Sequence, residues 1–168
     1  VVIIRPAEPR DYRAIRPLVE AAFATADHAS GTEADIVEGV RAEGAVLAEL
    51  VAEDGGQIVG HALFSRMSCD PPQRFFAGLG PIAALPGRQR LGVGSALARA
   101  GIEACRAAGA EAVVVLGHVG YYPRFGFSAD AARQLASPYA GSPSFMALEL
   151  TPGALSAPLK VDYPAAFG

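Results

Sequence analysis

The stretch Leu85-Pro86-Gly87-Arg88-Gln89-Arg90-Leu91-Gly92-Val93-Gly94-Ser95-Ala96-Leu97 decides how the rest of the chain is read. Before it, Gly80-Pro81-Ile82-Ala83-Ala84-Leu85 reads as the end of a β-strand, stopped by Pro86-Gly87. After it comes helical periodicity: Leu97, Gly101, Ala104, Cys105 and Ala108 share one face, and Arg99, Glu103 and Arg106 share another. Gly109 is a natural stop just past such a helix. The glycines therefore sit at a helix N-terminus, where the first backbone N–H groups lack partners and the helix dipole is positive. That combination favours a phosphate, and residues without Cβ let the backbone approach it closely. Arg88 and Arg90 add positive charge beside the turn.

Two familiar phosphate loops are excluded by residue type. A nucleotide P-loop needs Gly-Lys-Ser/Thr, and the only lysine in the chain is Lys160. A dinucleotide-binding turn needs its first glycine directly after the strand and a small residue where Leu97 stands. What remains is Gln89-x-x-Gly92-x-Gly94, preceded by Ile82-Ala83-Ala84-Leu85-Pro86 and followed, after the apolar run Val113-Val114-Val115-Leu116, by Tyr121-Tyr122-Pro123-Arg124-Phe125-Gly126-Phe127.

These three segments, in this order and spacing, resemble the GNAT superfamily of acyl-CoA N-acyltransferases. The segment from Val114 to Gly117, the tyrosine segment, and the tail with Phe145-Met146-Ala147-Leu148-Glu149-Leu150 and Tyr163 resemble its YhbS-like branch. The resemblance covers nearly the whole chain and is most specific over residues 80–127. It implies an α/β (α+β) fold: one mixed, mostly antiparallel, twisted sheet of six to seven strands, flanked by about four helices, with a splayed strand pair that holds coenzyme A. Residues 1–168 would form a single domain. Acetyl-CoA is the implied co-substrate, with no metal. Its pantetheine arm would run along Ile82, Ala83 and Ala84. Its pyrophosphate would sit on Gln89, Arg90, Leu91, Gly92, Val93, Gly94 and Ser95, with Tyr122 and Phe125 at the thioester end. The resemblance gives Tyr122 the task of protonating the departing thiolate or orienting the thioester sulfur. Relatives often carry Asn at the end of the buried strand; here that stretch is Val115-Leu116-Gly117-His118, so no acceptor contact is carried over from it.

Composition bounds the alternatives. The chain has 168 residues, 51% of them hydrophobic, enough for one domain with a proper core and too apolar for disorder. No apolar run reaches membrane-span length and no signal peptide is evident, so a cytoplasmic protein is expected. The net charge of −3 argues against nucleic acid as the main partner. Cys69 and Cys105 make no metal or redox motif, and Cys105 belongs to the apolar helix face.

Along the chain, residues 1–5 read as a strand, followed by a helix with Ile15, Leu18, Val19, Ala22 and Phe23 inward. Pro17 should kink or break that helix unless its surroundings tolerate it. Ser30-x-x-Glu33 reads as a capping box for a second helix carrying Ile36, Val37 and Val40 inward. Residues 47–53 and 57–66 read as a hairpin about Asp54-Gly55-Gly56. The next strand, 75–85, carries Gly78 and Gly80, which suit a bulge. Residues 112–116 are a buried strand, 121–125 a short helix, 128–144 an irregular stretch and 145–150 a strand, after which the tail returns along the sheet.

Transfer to an amine requires a neutral nucleophile and a place for its proton. Glu33 is one candidate base, although its place in a capping box gives it a structural role; His118 is another, because histidine titrates near neutrality. His28 and His61 are read as surface and strand residues, and Arg41, Arg66 and Arg133 as solvated charges. Tyr121 is read as structural and pointing elsewhere. The expected reaction is acetyl transfer to a primary amine of a small molecule or peptide, by a monomer or homodimer. The competing readings are a non-catalytic acyl-CoA-binding regulatory module and an enzyme that acylates aminoacyl-tRNA.

Overall fold

The computed structural model describes residues 1–24 and 29–168, so His28 lies outside the described residues. Nine strands are described: β1 Val2–Pro6, β2 Val46–Asp54, β3 Gln57–Arg66, β4 Ser68–Asp70, β5 Phe76–Ala84, β6 Ala112–Leu116, β7 Leu135–Ala136, β8 Phe145–Glu149 and β9 Leu159–Asp162. Three α-helices accompany them: α1 Tyr12–Phe23, α2 Glu33–Ala42 and α3 Val93–Ala107. The main sheet has six strands in the order β1-β2-β3-β5-β6-β8. Within it only β5 and β6 run parallel. Among the described residues the expected fourth helix is a 3-10 turn, Tyr122–Phe125, because Pro123 and the left-handed Gly126 leave no room for an α-helix. The tail does not extend the main sheet. It builds a second, three-stranded sheet, β4-β9-β7.

Local chemistry accounts for the hairpin. Asp54 pairs with Gln57, and both turn glycines have positive φ, +58° at Gly55 and +83° at Gly56. That is the twist a two-residue hairpin needs and other residues resist. Helix α1 runs through Pro17 without interruption, so its buried stripe of Ile15, Leu18, Val19 and Ala22 outweighs the lost hydrogen bond.

The sheet is covered on both faces. Side chains alternate along β3: Ala62 and Phe64 join the cluster with Leu97, Ile102 and Cys105 of α3, while Leu63 joins Val51, Ala83 and the apolar stripes of α1 and α2. Cys105 is fully buried, as its helix face suggested, and burial pushes its thiol pKa up to about 12. Gly101 is where α3 comes closest to the sheet, for a Cβ there would fall 1.9 Å from Cε1 of Phe64. Alanine in mid-helix is ordinarily favoured over glycine by about 1 kcal/mol. Here overpacking, at about 1–3 kcal/mol, takes the larger share. Gly101→Ala is therefore expected to lower the thermal midpoint, and a raised midpoint would refute the close packing.

Two residues read as unremarkable in the sequence form a buried ionic cluster. Glu49 Oε2 accepts from Arg41 Nη2 at 2.6 Å and is paired with His61 Nε2 at 2.7 Å. Arg41 also stacks over the Tyr12 ring, 3.7 Å from its centroid. Arg41 is thus no solvated charge, and His61 is completely buried. Burial opposes the Glu49 charge, but the bonds from His61 and Arg41 outweigh it and hold the carboxyl below its usual pKa. Arg66, by contrast, lies over the Phe75 ring.

Candidate active site

The site begins where β5 leaves β6. Their parallel pairing runs from Phe76↔Ala112 to Leu79↔Val115. Beyond Leu79, β5 stays with β3 alone, through Ala62↔Ile82, His61↔Ala83 and Gly60↔Ala84. From Phe64 to Ala62 the β3 chain passes one residue, while β5 passes both Gly80 and Pro81, which is a bulge. Gly80 has φ +133°, a conformation other residues rarely adopt. Among the described residues, no strand therefore lies across from residues 80–84 on the β6 side. This is the splayed pair, and it offers backbone donors and acceptors to an extended ligand.

The glycine loop follows directly. Pro86–Arg88 form a 3-10 turn, and Gln89 donates from Nε2 to the Ala84 carbonyl at 3.3 Å, tying the loop to the strand end. Gly92 takes the left-handed conformation, φ +85°, at the N-cap of α3. The first bond of α3 runs from Ala96 N–H to the Gly92 carbonyl, and no side chain caps the helix. The N–H groups of Val93, Gly94 and Ser95 precede that bond and lack intrahelical partners, as an anion site requires. Arg88 pairs with Asp54 of the hairpin, so its charge is partly spent; Arg90 and Leu91 are exposed.

The tyrosine turn completes the arrangement. The His118 carbonyl accepts the N–H groups of Tyr121 and Tyr122, at 3.1 and 3.2 Å. Tyr121 does not point elsewhere: its hydroxyl lies 2.9 Å from Ser95 Oγ, joining the turn to the first turn of α3. A Cβ on Gly94 would lie 3.5 Å from that hydroxyl and 3.8 Å from Ile82 Cγ2, so strand, loop and turn meet at one point. Tyr122 packs against Gly117, where an added Cβ would come within 2.3 Å of Cε2, and edge-on to Phe127 at 6.0 Å between centroids. Burial, then the neighbouring Tyr121, pushes the Tyr122 pKa up to about 12, so its hydroxyl keeps its proton throughout the neutral range. Phe125 closes the cluster, with its ring 6.3 Å from Tyr122 and under the Arg99 guanidinium at 5.0 Å.

The two candidate bases come from separate elements, the start of α2 and the loop after β6. Glu33 begins α2, and its Oε2 accepts both the Ser30 N–H at 2.7 Å and the Ser30 hydroxyl at 2.9 Å. The box is rearranged relative to expectation: Thr32 is the N-cap, and the Ser30 hydroxyl also accepts the Thr32 N–H rather than capping the helix. Burial raises the Glu33 pKa, but the Ser30 bonds lower it further, leaving a weakened base. His118 is an exposed residue at the start of the tyrosine turn. Sequence reading missed the Tyr121–Ser95 link, the Arg41–Glu49–His61 cluster and the position of Tyr163. The adjacency of Tyr121 to Tyr122 was the only available signal for the first.

Comparison with known proteins gives a consistent result. The profile of the Acetyltransferase (GNAT) family matches residues 13–127. The uncharacterized N-acetyltransferase YhbS of Escherichia coli (strain K12) is 30% identical over 144 residues, which cover 85% of this chain and 83% of YhbS. The uncharacterized N-acetyltransferase YjhQ of the same organism is 45% identical over 82 residues, spanning 46% of this chain and only 44% of YjhQ. Among solved structures, a GNAT family acetyltransferase from Brucella melitensis in complex with acetyl-CoA has a TM-score of 0.86 at 37% identity, covering 100% of this chain and 99% of that one. E. coli YhbS in complex with CoA has a TM-score of 0.87 at 29% identity, covering 99% and 91%. Among the described residues no helix is long and apolar enough to cross a membrane.

Proposed function

Because this chain belongs to the GNAT family of acetyltransferases, we propose that it transfers the acetyl group of acetyl-CoA to a primary amine of a small molecule or peptide, by direct attack on the thioester. The carrying observation is the single meeting point of the open β5 edge, the uncapped N-terminus of α3 and the tyrosine turn, around Ile82, Gly94, Ser95 and Tyr121. The residues fit the co-substrate. The edge at Ile82, Ala83 and Ala84 suits the amides of a pantetheine arm, and the N–H groups of residues 93–95 suit a pyrophosphate. Gln89 and Gly92 shape that loop, with Arg90 and Leu91 at its exposed rim. Acetyl-CoA supplies the activated acyl group: a C–N bond forms, the C–S bond breaks, and one proton passes on balance from nitrogen to sulfur.

The chain's residues divide that work. In this reading a backbone N–H of the bulged strand near Ile82 stabilises the carbonyl oxygen as its charge grows. Tyr122, neutral and held by Gly117 and Phe127, donates its hydroxyl proton toward the departing sulfur. The nitrogen's proton leaves through water, with His118, at the exposed start of the same turn, and Glu33 as the side chains considered for taking it. The bonds from Ser30 weaken the Glu33 carboxylate as a base.

Calorimetric titration with acetyl-CoA, followed by thiol release across a panel of amines, peptides and amino-acid derivatives, tests the reading. Binding with turnover on at least one amine is the expected result. Binding without turnover on any amine replaces it with an acyl-CoA-binding regulatory role. No binding at all sinks the site assignment.

A further inference from the structure

Three buried side-chain polar atoms among the described residues lack any hydrogen-bond partner: His61 Nδ1, Ser65 Oγ and Tyr163 Oη. They share one face of the main sheet. His61 and Ser65 alternate with Ala62 and Phe64 on β3 and so point away from α3, toward the side covered by α1, α2 and the tail. Ser65 is the cross-strand neighbour of Gly78 on β5. Tyr163 lies directly over that glycine: a Cβ on Gly78 would come 3.0 Å from Tyr163 Cε1. Cross-strand neighbours present their side chains to the same face, so Ser65 and the Tyr163 ring both lie beside Gly78 on that face. That point is one residue before Leu79, where β5 and β6 part.

Tyr163 and Tyr122 therefore flank the splay from opposite faces. Tyr122 packs with the α3-side cluster, and Tyr163 packs with Met67, Phe76 and Val114 on the other side. The Tyr163 ring is fixed by Phe167 at 4.8 Å and Tyr139 at 5.9 Å between centroids. Burial, then Tyr139, then Tyr122, raises its pKa, so it cannot serve as a phenolate base. Buried polar atoms are almost always satisfied, and two unsatisfied buried hydroxyls on one face, one residue before the strands part, mark a place where a polar ligand or water belongs.

Resting on the acyltransferase reading above, we propose that Tyr163 is the acceptor-binding residue: its neutral hydroxyl, with Ser65 beside it, accepts a hydrogen bond from the attacking amine and points the nitrogen lone pair at the thioester carbon from the face opposite Tyr122. A neutral hydroxyl holds the free amine, the form that can attack, and does not stabilise an ammonium ion as a carboxylate would.

The test uses Tyr163→Phe and Ser65→Ala in the full chain, with hydroxylamine as the acceptor probe because it is small and uncharged at neutral pH. For Tyr163→Phe, kcat/KM for hydroxylamine should fall about tenfold or more. Acetyl-CoA affinity should stay within about twofold, and Tm should equal or exceed that of the wild type, since removing an unsatisfied buried hydroxyl costs nothing. Ser65→Ala should shift kcat/KM in the same direction. Wild-type-like turnover in Tyr163→Phe overturns the proposal. So does a Tm lowered by several degrees, which would mean that the hydroxyl has an internal partner. The Tm comparison needs no turnover, so it decides about Tyr163 separately, whereas loss of acetyl-CoA binding by the wild type itself counts against the acyltransferase reading.

Discussion

Gly94→Asp is expected to weaken acetyl-CoA binding by about a hundredfold or more while leaving the protein folded. A Cβ at this position meets only ordinary contacts, 3.5 Å to the Tyr121 hydroxyl and 3.8 Å to Ile82, so the fold accepts the side chain. An acidic residue in the first turn of α3 complements the helix dipole, which is worth about 0.3–1 kcal/mol in its favour. The carboxylate, however, occupies the N–H groups that a pyrophosphate needs and repels it by charge. Binding and stability should therefore move in opposite directions: affinity lost, Tm unchanged or slightly higher. Calorimetry and thermal unfolding on the same preparation separate the two. Unchanged affinity would show that the phosphate is held elsewhere.

Tyr122→Phe should lower kcat by about tenfold to a hundredfold with acetyl-CoA affinity nearly unchanged. The ring contacts with Gly117, Phe125 and Phe127 survive the substitution, so only the hydroxyl is lost. With a pKa near 12, the hydroxyl stays protonated across any practical assay range. The alkaline limb of the wild-type pH–rate profile should then not arise from this residue below about pH 10. A second substitution reaches the same group indirectly. Gly117→Ala places a Cβ 2.3 Å from Tyr122 Cε2 and must displace the ring, so it should reproduce much of the kcat loss with the hydroxyl still present. Full activity in both variants removes Tyr122 from the chemistry. Full activity in Gly117→Ala alone would instead show that the ring finds a second productive position.

Much of the site is local in sequence, and this is why it was readable. The turn from Pro86 through Gly92 to the start of α3, the bulge at Gly80 and the αL stop at Gly126 each depend on what a few consecutive backbones can do. Glycine and proline announce those conformations directly. The inward face of α3 was legible for a similar reason: its apolar stripe reflects burial on one side. The stripe was less complete than its period suggested, since Ala108 is exposed and Ile102 lies inside. A period identifies the inward direction but not where the neighbouring strand ends.

The sequence by itself determined the glycine loop and the tyrosine turn, because glycines and prolines act through nearest neighbours along the chain, and the order and spacing of those segments carried the resemblance that implied the class of the domain. Tertiary structure alone decided which charges are buried and which buried hydroxyls are left without partners. Arg41 and His61 look like ordinary polar residues until strand pairing sets Glu49 between them. Tyr163 meets Gly78 only because β9 pairs with β4 and carries the tail back over the sheet. Contacts of that kind join residues far apart in the chain, and what places them is the register and packing of whole elements, which no residue's own chemistry reveals.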